Sequence, residues 1–231
     1  MSQKDDLLRE ELDGLLDILK GEVQSLVINR HVFWEVQDII RSNQRIQIGS
    51  TFYDWMGSAY ASSMSIAVRR QVDEAPRSIS FINFLTQIRS RPLVVSRAWY
   101  KSLFAGGDYP PNWADKCFDR LAGVGQDHVR ADAVVNEIAA LKDRTAHVAK
   151  YVNKRVAHRD AHDFRPLPRF RDIDAAVEHL DRLTIRYLNL FRGMSMTTTL
   201  PTWQYDWKEI FRHPWLVEPT EVPPVTRHPD P

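Results

Sequence analysis

The spacing of apolar residues constrains this chain more than any motif does. In two long stretches they recur at three- and four-residue intervals: Val134, Ile138, Leu141, Val148, Val152 and Val156 in one, and Ile173, Ala176, Val177, Leu180, Leu183, Tyr187, Leu190 and Phe191 in the other. A period near 3.6 residues puts such residues on one face of a helix, and each face has to be buried against another helix. No segment alternates apolar and polar residues over a length that would make a strand, and no internal repeat is present. The spacing therefore predicts an all-α fold, a helical bundle whose centre is an antiparallel pair over about 130–158 and 172–192.

The rest of the chain reads the same way. Leu8 to Ile40 carries helical spacing that suggests two helices, with a break near Ile28 to Arg30. A third helix starts after Gly49-Ser50-Thr51 and runs to Arg70, and Ser78 or Ser80 caps a fourth that closes at Arg91-Pro92. Short helices are expected over 93–104 and 112–121, and the long motif helix from about His128 to Arg159. Residues 1–216 are expected to form one domain, with the aromatic segment 200–216 packed across the bundle. Prolines at 219, 223, 224, 229 and 231 make 217–231 a mobile tail.

Composition excludes several classes. The 43% apolar content supports a real core. With 31 basic and 30 acidic side chains the net charge is +1, so any nucleic-acid contact has to come from a local patch. One cysteine, Cys117, rules out an intramolecular disulfide framework and a cysteine-rich metal site. No apolar stretch reaches the length of a membrane span and the N-terminus is polar, so a cytoplasmic protein without membrane association is expected.

Titratable groups concentrate between Tyr151 and His162. On an α-helix His147, Tyr151, Lys154 or Arg155, and His158 share one face, which flanks the apolar line. Phosphodiester cleavage without a metal needs a base of near-neutral pKa and a fixed cation. His158 or His162 could supply the first and Lys154 or Arg155 the second. Asn153 would orient substrate, and Tyr151 could donate a hydrogen bond. Arg69 and Arg70 with Asp73 could clamp a phosphate, although a helix dipole alone favours two arginines at a C-terminus. His158 and His162 are four apart, as zinc-binding histidines on a helix can be, and Asp163 or His147 could complete a set. No glutamate base lies between them and the helix is ending there, so neither metal nor cofactor is expected.

The run Asn153-Lys154, then Ala157-His158 and Asp160, resembles the signature of the HEPN superfamily (higher eukaryotes and prokaryotes nucleotide-binding). More narrowly, the chain resembles its abortive-infection, AbiU-type branch. Phe52-Tyr53-Asp54-Trp55, and Arg69-Arg70-Gln71-Val72-Asp73 followed by Ser78-Ile79-Ser80, extend the likeness over most of residues 20–192. The resemblance implies an all-α, often dimeric protein of phage-defence or toxin–antitoxin systems that acts on RNA. The family's catalytic pair is an arginine followed by a polar residue, with a histidine four to six residues further along. Here Val152 stands at the arginine position paired with His158. A second register, Arg155 with His162, meets the spacing but puts Val156 at the polar position.

RNA binding with weakened metal-independent cleavage is the function implied. RNA or a nucleotide, a second copy of the chain, and an antitoxin or defence-system protein are the implied partners. The resemblance also places Arg70 and Asp73 beside the histidine helix, where either could tether it through Asp160. The alternative is a non-catalytic interaction module in which the histidine motif is a structural latch between helices or protomers.

Overall fold

The computed structural model of the chain describes residues 3–156 and 168–216. Seven α-helices are present among them: α1 (Gln3–Ser42), α2 (Thr51–Gln71), α3 (Phe81–Ser90), α4 (Arg97–Ser102), α5 (Trp113–Ala122), α6 (Ala131–Tyr151) and α7 (Phe170–Arg192). The described residues contain no strand, only a single bridge between Ser96 and His128. No helix among them is long and apolar enough to cross a membrane. The all-α reading holds.

Local sequence sets the helix ends. Ser50, Ser80 and Ser96 each accept a backbone amide of the first turn that follows, from Phe52, Asn83 and Trp99 at 3.2 Å. These amides have no partner within their own helix, so the serine oxygen satisfies a donor that would otherwise need water. At the start of α7 the Asp172 carboxylate accepts the Arg169 amide at 2.8 Å.

α1 corrects one expectation, since it runs unbroken through residues 28–30. The apparent break comes from a gap in the apolar line between Val27 and Phe33. Arg30 fills the slot, donating to the Asp174 carbonyl at 3.3 Å while Trp34 donates to the Asp174 carboxylate at 3.1 Å. A polar side chain with a buried-side partner replaces an apolar one, and nothing such as proline interrupts the backbone hydrogen bonds.

The core centres on α7. Ile173, Val177, Leu180, Tyr187, Leu188 and Phe191 are buried, and they meet Leu12, Leu16, Leu19 and Val23 of α1, Val134, Leu141 and Val148 of α6, and Phe84 of α3. α6 and α7 are antiparallel, as the spacing predicts: Tyr187 donates to Glu137 at 2.5 Å, and His147 lies 3.4 Å from Asp172. α7 packs on α1 more extensively still, also antiparallel, with Arg192 on Asp13 and Asp17 and Trp34 on Asp174. The centre is thus one helix with two long neighbours, where the sequence suggested a pair.

Beyond α7 the chain turns at Gly193, whose φ of +65° is left-handed and whose amide donates to Asn189 at 2.8 Å. The following strap is fixed by buried Asp181, which accepts from the Thr198 hydroxyl at 2.9 Å, the Thr199 amide at 2.9 Å and the Thr199 hydroxyl at 2.7 Å. Gln24 of α1 donates to the Thr199 carbonyl.

Two compact units are formed, one ending at Leu200 and the other starting at Pro201. The second contains a one-turn helix, Glu209–Arg212, and a succession of ring contacts from Trp203 to Trp207, Phe211 and Trp215. The tail 217–231 lies outside the described residues.

Two substitutions test this framework. Asp181→Ala leaves two buried donors and one half-buried donor without their acceptor and should cost about 2–3 kcal/mol, read as a lower midpoint in thermal or urea unfolding. Gly193→Ala should be similarly harmful, about 2 kcal/mol. Its new Cβ would sit 2.5 Å from the Phe104 ring on a backbone that L-residues rarely adopt.

Candidate functional site

The motif follows the last turn of α6. The α-helix stops at Tyr151, and Val152–Val156 wind as a π-helical turn. A π turn closes i→i+5 hydrogen bonds, so it advances less per residue than an α turn. Within it the spacing differs from the ideal α-helix on which His147, Tyr151 and Lys154 share a stripe, and His158 lies outside the described residues.

Val152 is buried, 6% exposed, and continues the apolar line of α6 into the core. The position at which the resemblance asks for an arginine is therefore a packing position in this fold. Asn153 is exposed beside it and Lys154 half-buried.

A guanidinium reaches this turn from another helix. Arg69, near the C-terminus of α2, donates through Nε to Asn153 Oδ1 at 3.0 Å, and its Nη1 stands 3.9 Å from Asp73. Asp73 is itself anchored: Ser78 donates to its carboxylate at 2.8 Å, the Ala75 amide at 3.2 Å, and Ser80 donates to its carbonyl at 2.6 Å. The Ser78 hydrogen bond, then the Ala75 amide, and more weakly the Arg69 charge hold this carboxyl below the usual range. Asn83 closes the same turn by donating to the carbonyls of Ala75 and Ser78. Residues 69–83 thus form a braced corner that carries Arg69.

The two arginines part company. Arg70 pairs with Glu22 of α1 at 2.5 Å, and Gln71 donates to the other oxygen of the same carboxylate. Adjacent residues on a helix point about 100° apart, so only one of them could face α6. Arg69 alone meets the motif, and Arg70 ties α2 to α1.

His147 is drawn away toward α7, where Asp172 lies 3.4 Å from its Nδ1. Tyr151 lines a groove with Tyr53 of α2 and Phe170 of α7. His158, Asp160 and His162 lie outside the described residues, as does the side chain of Arg155, so the proposed tether through Asp160 is not among the contacts described. The described tether is Arg69 to Asn153.

Sequence reasoning named both partners of that hydrogen bond without pairing them. It quoted Tyr53 and Asp54 only as part of a resemblance and did not see the groove. One signal was available. Between Trp55 and Val68 α2 has no charged side chain, and Gly57, Ser58, Ala61 and Ser62 are small, as a helix lining a cleft can be.

No curated protein and no solved structure matches the chain. The HEPN family model described as AbiU2 matches residues 10–210. That span holds all seven helices apart from the first turns of α1, together with the α2 corner and the end of α6. The chain belongs to the AbiU2 family of HEPN proteins, the abortive-infection branch that its motifs resemble.

Proposed function

We propose that this AbiU2 protein acts on RNA in a phage-defence or toxin–antitoxin setting, and that its site binds the RNA backbone more effectively than it cleaves it. The observation that carries this reading is the Arg69–Asn153 hydrogen bond, which sets a cation from α2 on the polar side of the motif while Val152 is buried. Only the single Nε donor of Arg69 is committed to Asn153. The Nη groups carry four further donors in a planar fork, the geometry that suits a phosphate. Lys154 and Arg155 follow directly in sequence and would add to the local positive field, which the net charge of +1 does not otherwise provide.

Cleavage asks for more. His158, or His162 in the second register, would take the proton of the ribose hydroxyl, and a cation would stabilise the charge that develops on the phosphoryl oxygens. With a buried valine where the paired arginine is expected, Arg69 or Arg155 has to serve from another position. Loss of such a stabiliser costs about 10²- to 10³-fold in rate. A single motif turn also offers few groups, which favours a homodimer with two motifs across a two-fold axis; an antitoxin or defence-system protein would be a partner of the same face.

A second reading has the same hydrogen bond in its favour. Arg69 and Asn153 join α2 to the end of α6, and a latch between helices needs nothing beyond that.

Retention of single-stranded RNA by wild type, Arg69→Ala and His158→Ala, at low and high salt, separates the readings. On the RNA reading Arg69→Ala weakens binding several-fold and lowers the slope of log affinity against log salt by about 0.7, the contribution of one phosphate contact on a single strand. His158→Ala leaves retention unchanged and removes whatever metal-independent cleavage the wild type has. If neither variant alters retention while Arg69→Ala lowers the melting temperature, the latch is the function of this contact. The dimer is checked separately by light scattering at micromolar concentration, where twice the chain mass is the expected result.

A further inference from the structure

The Phe52-Tyr53-Asp54-Trp55 segment plays no part in the phosphate reading, yet it borders the groove that Tyr151 lines. That groove, about 470 Å³, lies between α1, α2, the end of α6 and the start of α7. Its floor is open because α2 presents small residues there. A Cβ added to Gly57 would lie 3.7 Å from the Phe170 ring, an ordinary contact, so packing does not require the glycine.

We infer that this groove is a base-recognition subsite that takes the guanine of an unpaired RNA nucleotide, with the phosphate of a neighbouring nucleotide of the same strand toward Arg69. The inference rests on the RNA reading for its phosphate half and on the groove alone for its base half.

Three features of the groove carry it. Tyr53, Tyr151 and Phe170 contribute aromatic rings to its lining, which is how proteins hold splayed-out bases. Among the described residues Asp54 is the only charged side chain in the lining, and no cation pairs with it. A carboxylate repels phosphate and accepts hydrogen bonds, so the occupant has to present donors and no negative charge. Guanine offers two adjacent donors on one edge, N1–H and the N2 amino group, which match the two oxygens of a carboxylate. Adenine, cytosine and uracil each place an acceptor next to their donor on that edge, and the acceptor would face the negative charge.

The third feature is continuity. Ser62 lines the groove, and Arg69 is seven residues further along α2, two turns on the same face and about 10 Å at 1.5 Å per residue. Tyr151 is likewise two residues from Asn153. Asp54 is fifteen residues from Arg69, about 22 Å along the helix, so a base paired with Asp54 leaves its own phosphate short of the guanidinium, which instead meets the phosphate of a neighbouring nucleotide of the strand.

The test uses the full chain, titrated with guanosine, the four nucleoside 5′-monophosphates, and a short RNA carrying one central guanine or adenine, with binding followed by calorimetry. The inference expects guanosine monophosphate to bind about tenfold more tightly than the adenosine, cytidine or uridine monophosphate. Asp54→Asn should erase that preference, and Gly57→Leu, which fills the groove without disturbing a helical backbone, should abolish guanosine binding with an unchanged melting temperature. Arg69→Ala should weaken the RNA but leave guanosine and its monophosphate unaffected. The guanine RNA should bind more tightly than the free monophosphate; the opposite order overturns the assignment to RNA in favour of a free nucleotide. Unchanged base preference in Asp54→Asn, or wild-type binding by Gly57→Leu, overturns the groove assignment. The two halves fail separately: RNA retention that depends on Arg69 but ignores base identity sinks the guanine subsite alone, whereas guanosine binding that depends on Asp54 without RNA retention sinks the phosphate reading alone.

Discussion

The burial of α7 on several sides is the constraint from which the arrangement follows. Eleven of its residues are buried, including the polar Asp181 and Thr184, so no single neighbour can cover it. Fully burying a leucine or phenylalanine is worth about 1.5–3 kcal/mol, against about 0–1 kcal/mol for an exposed ion pair. Hydrophobic burial therefore brings α1, α6 and α3 around α7, and the ion pairs at its ends select register. Arg192 at the C-terminal end meets Asp13 and Asp17, and Asp172 and Asp174 at the N-terminal end meet His147 and Trp34. Cations near the last turn and carboxylates near the first also suit the helix dipole. Deep in this core Tyr187 donates to Glu137, and burial, then that carboxylate, push its phenol well above the ordinary value.

Because α6 is held against α7 along its length, its end delivers Val152 and Asn153 to a fixed place beside α2. The same packing that gives the motif its position also takes Val152 into the core. A long charged side chain at that position would have to be buried unpaired or displace the turn, and either is costly. A guanidinium reaches the end of α6 from outside the motif, through a corner of α2 whose aspartate, serines and asparagine are satisfied within that corner. A guanidinium braced in this way has already lost much of the conformational freedom that binding would otherwise remove.

The helices were legible because period and caps are local. Ser50 and Ser80 announce their helices, and the three–four spacing of α7 is uninterrupted. The misreadings came where a long-range contact overrides a local signal. Arg30 looks like a break in α1 until Asp174 is placed beside it, and Arg69 and Arg70 look like a pair until α1 and α6 claim one each. The π turn after Tyr151 is a different matter, since a wheel drawn at α spacing assumes the regularity that the turn removes. The groove was hidden for a different reason: its floor consists of residues too small to signal anything alone, and its walls come from four separate segments.

A chain with a net charge of +1 has little field to draw in a polyanion, and beyond about 8 Å physiological salt screens what field it has. Recognition then depends on where charges sit within a few ångströms of the ligand. Asp54 and Arg69 occupy the same helix with opposite sign, fifteen residues and four turns apart. A carboxylate and a phosphate about 4 Å apart repel by about 1 kcal/mol in a watery setting and by several times that where water is partly excluded, while a guanidinium at the same distance attracts by as much. A strand laid along α2 with its phosphate at the carboxylate end loses on both counts. On the RNA reading, two opposed charges on one rigid helix therefore fix the direction in which a strand lies, a form of selectivity that needs no large basic surface and is compatible with an almost neutral protein.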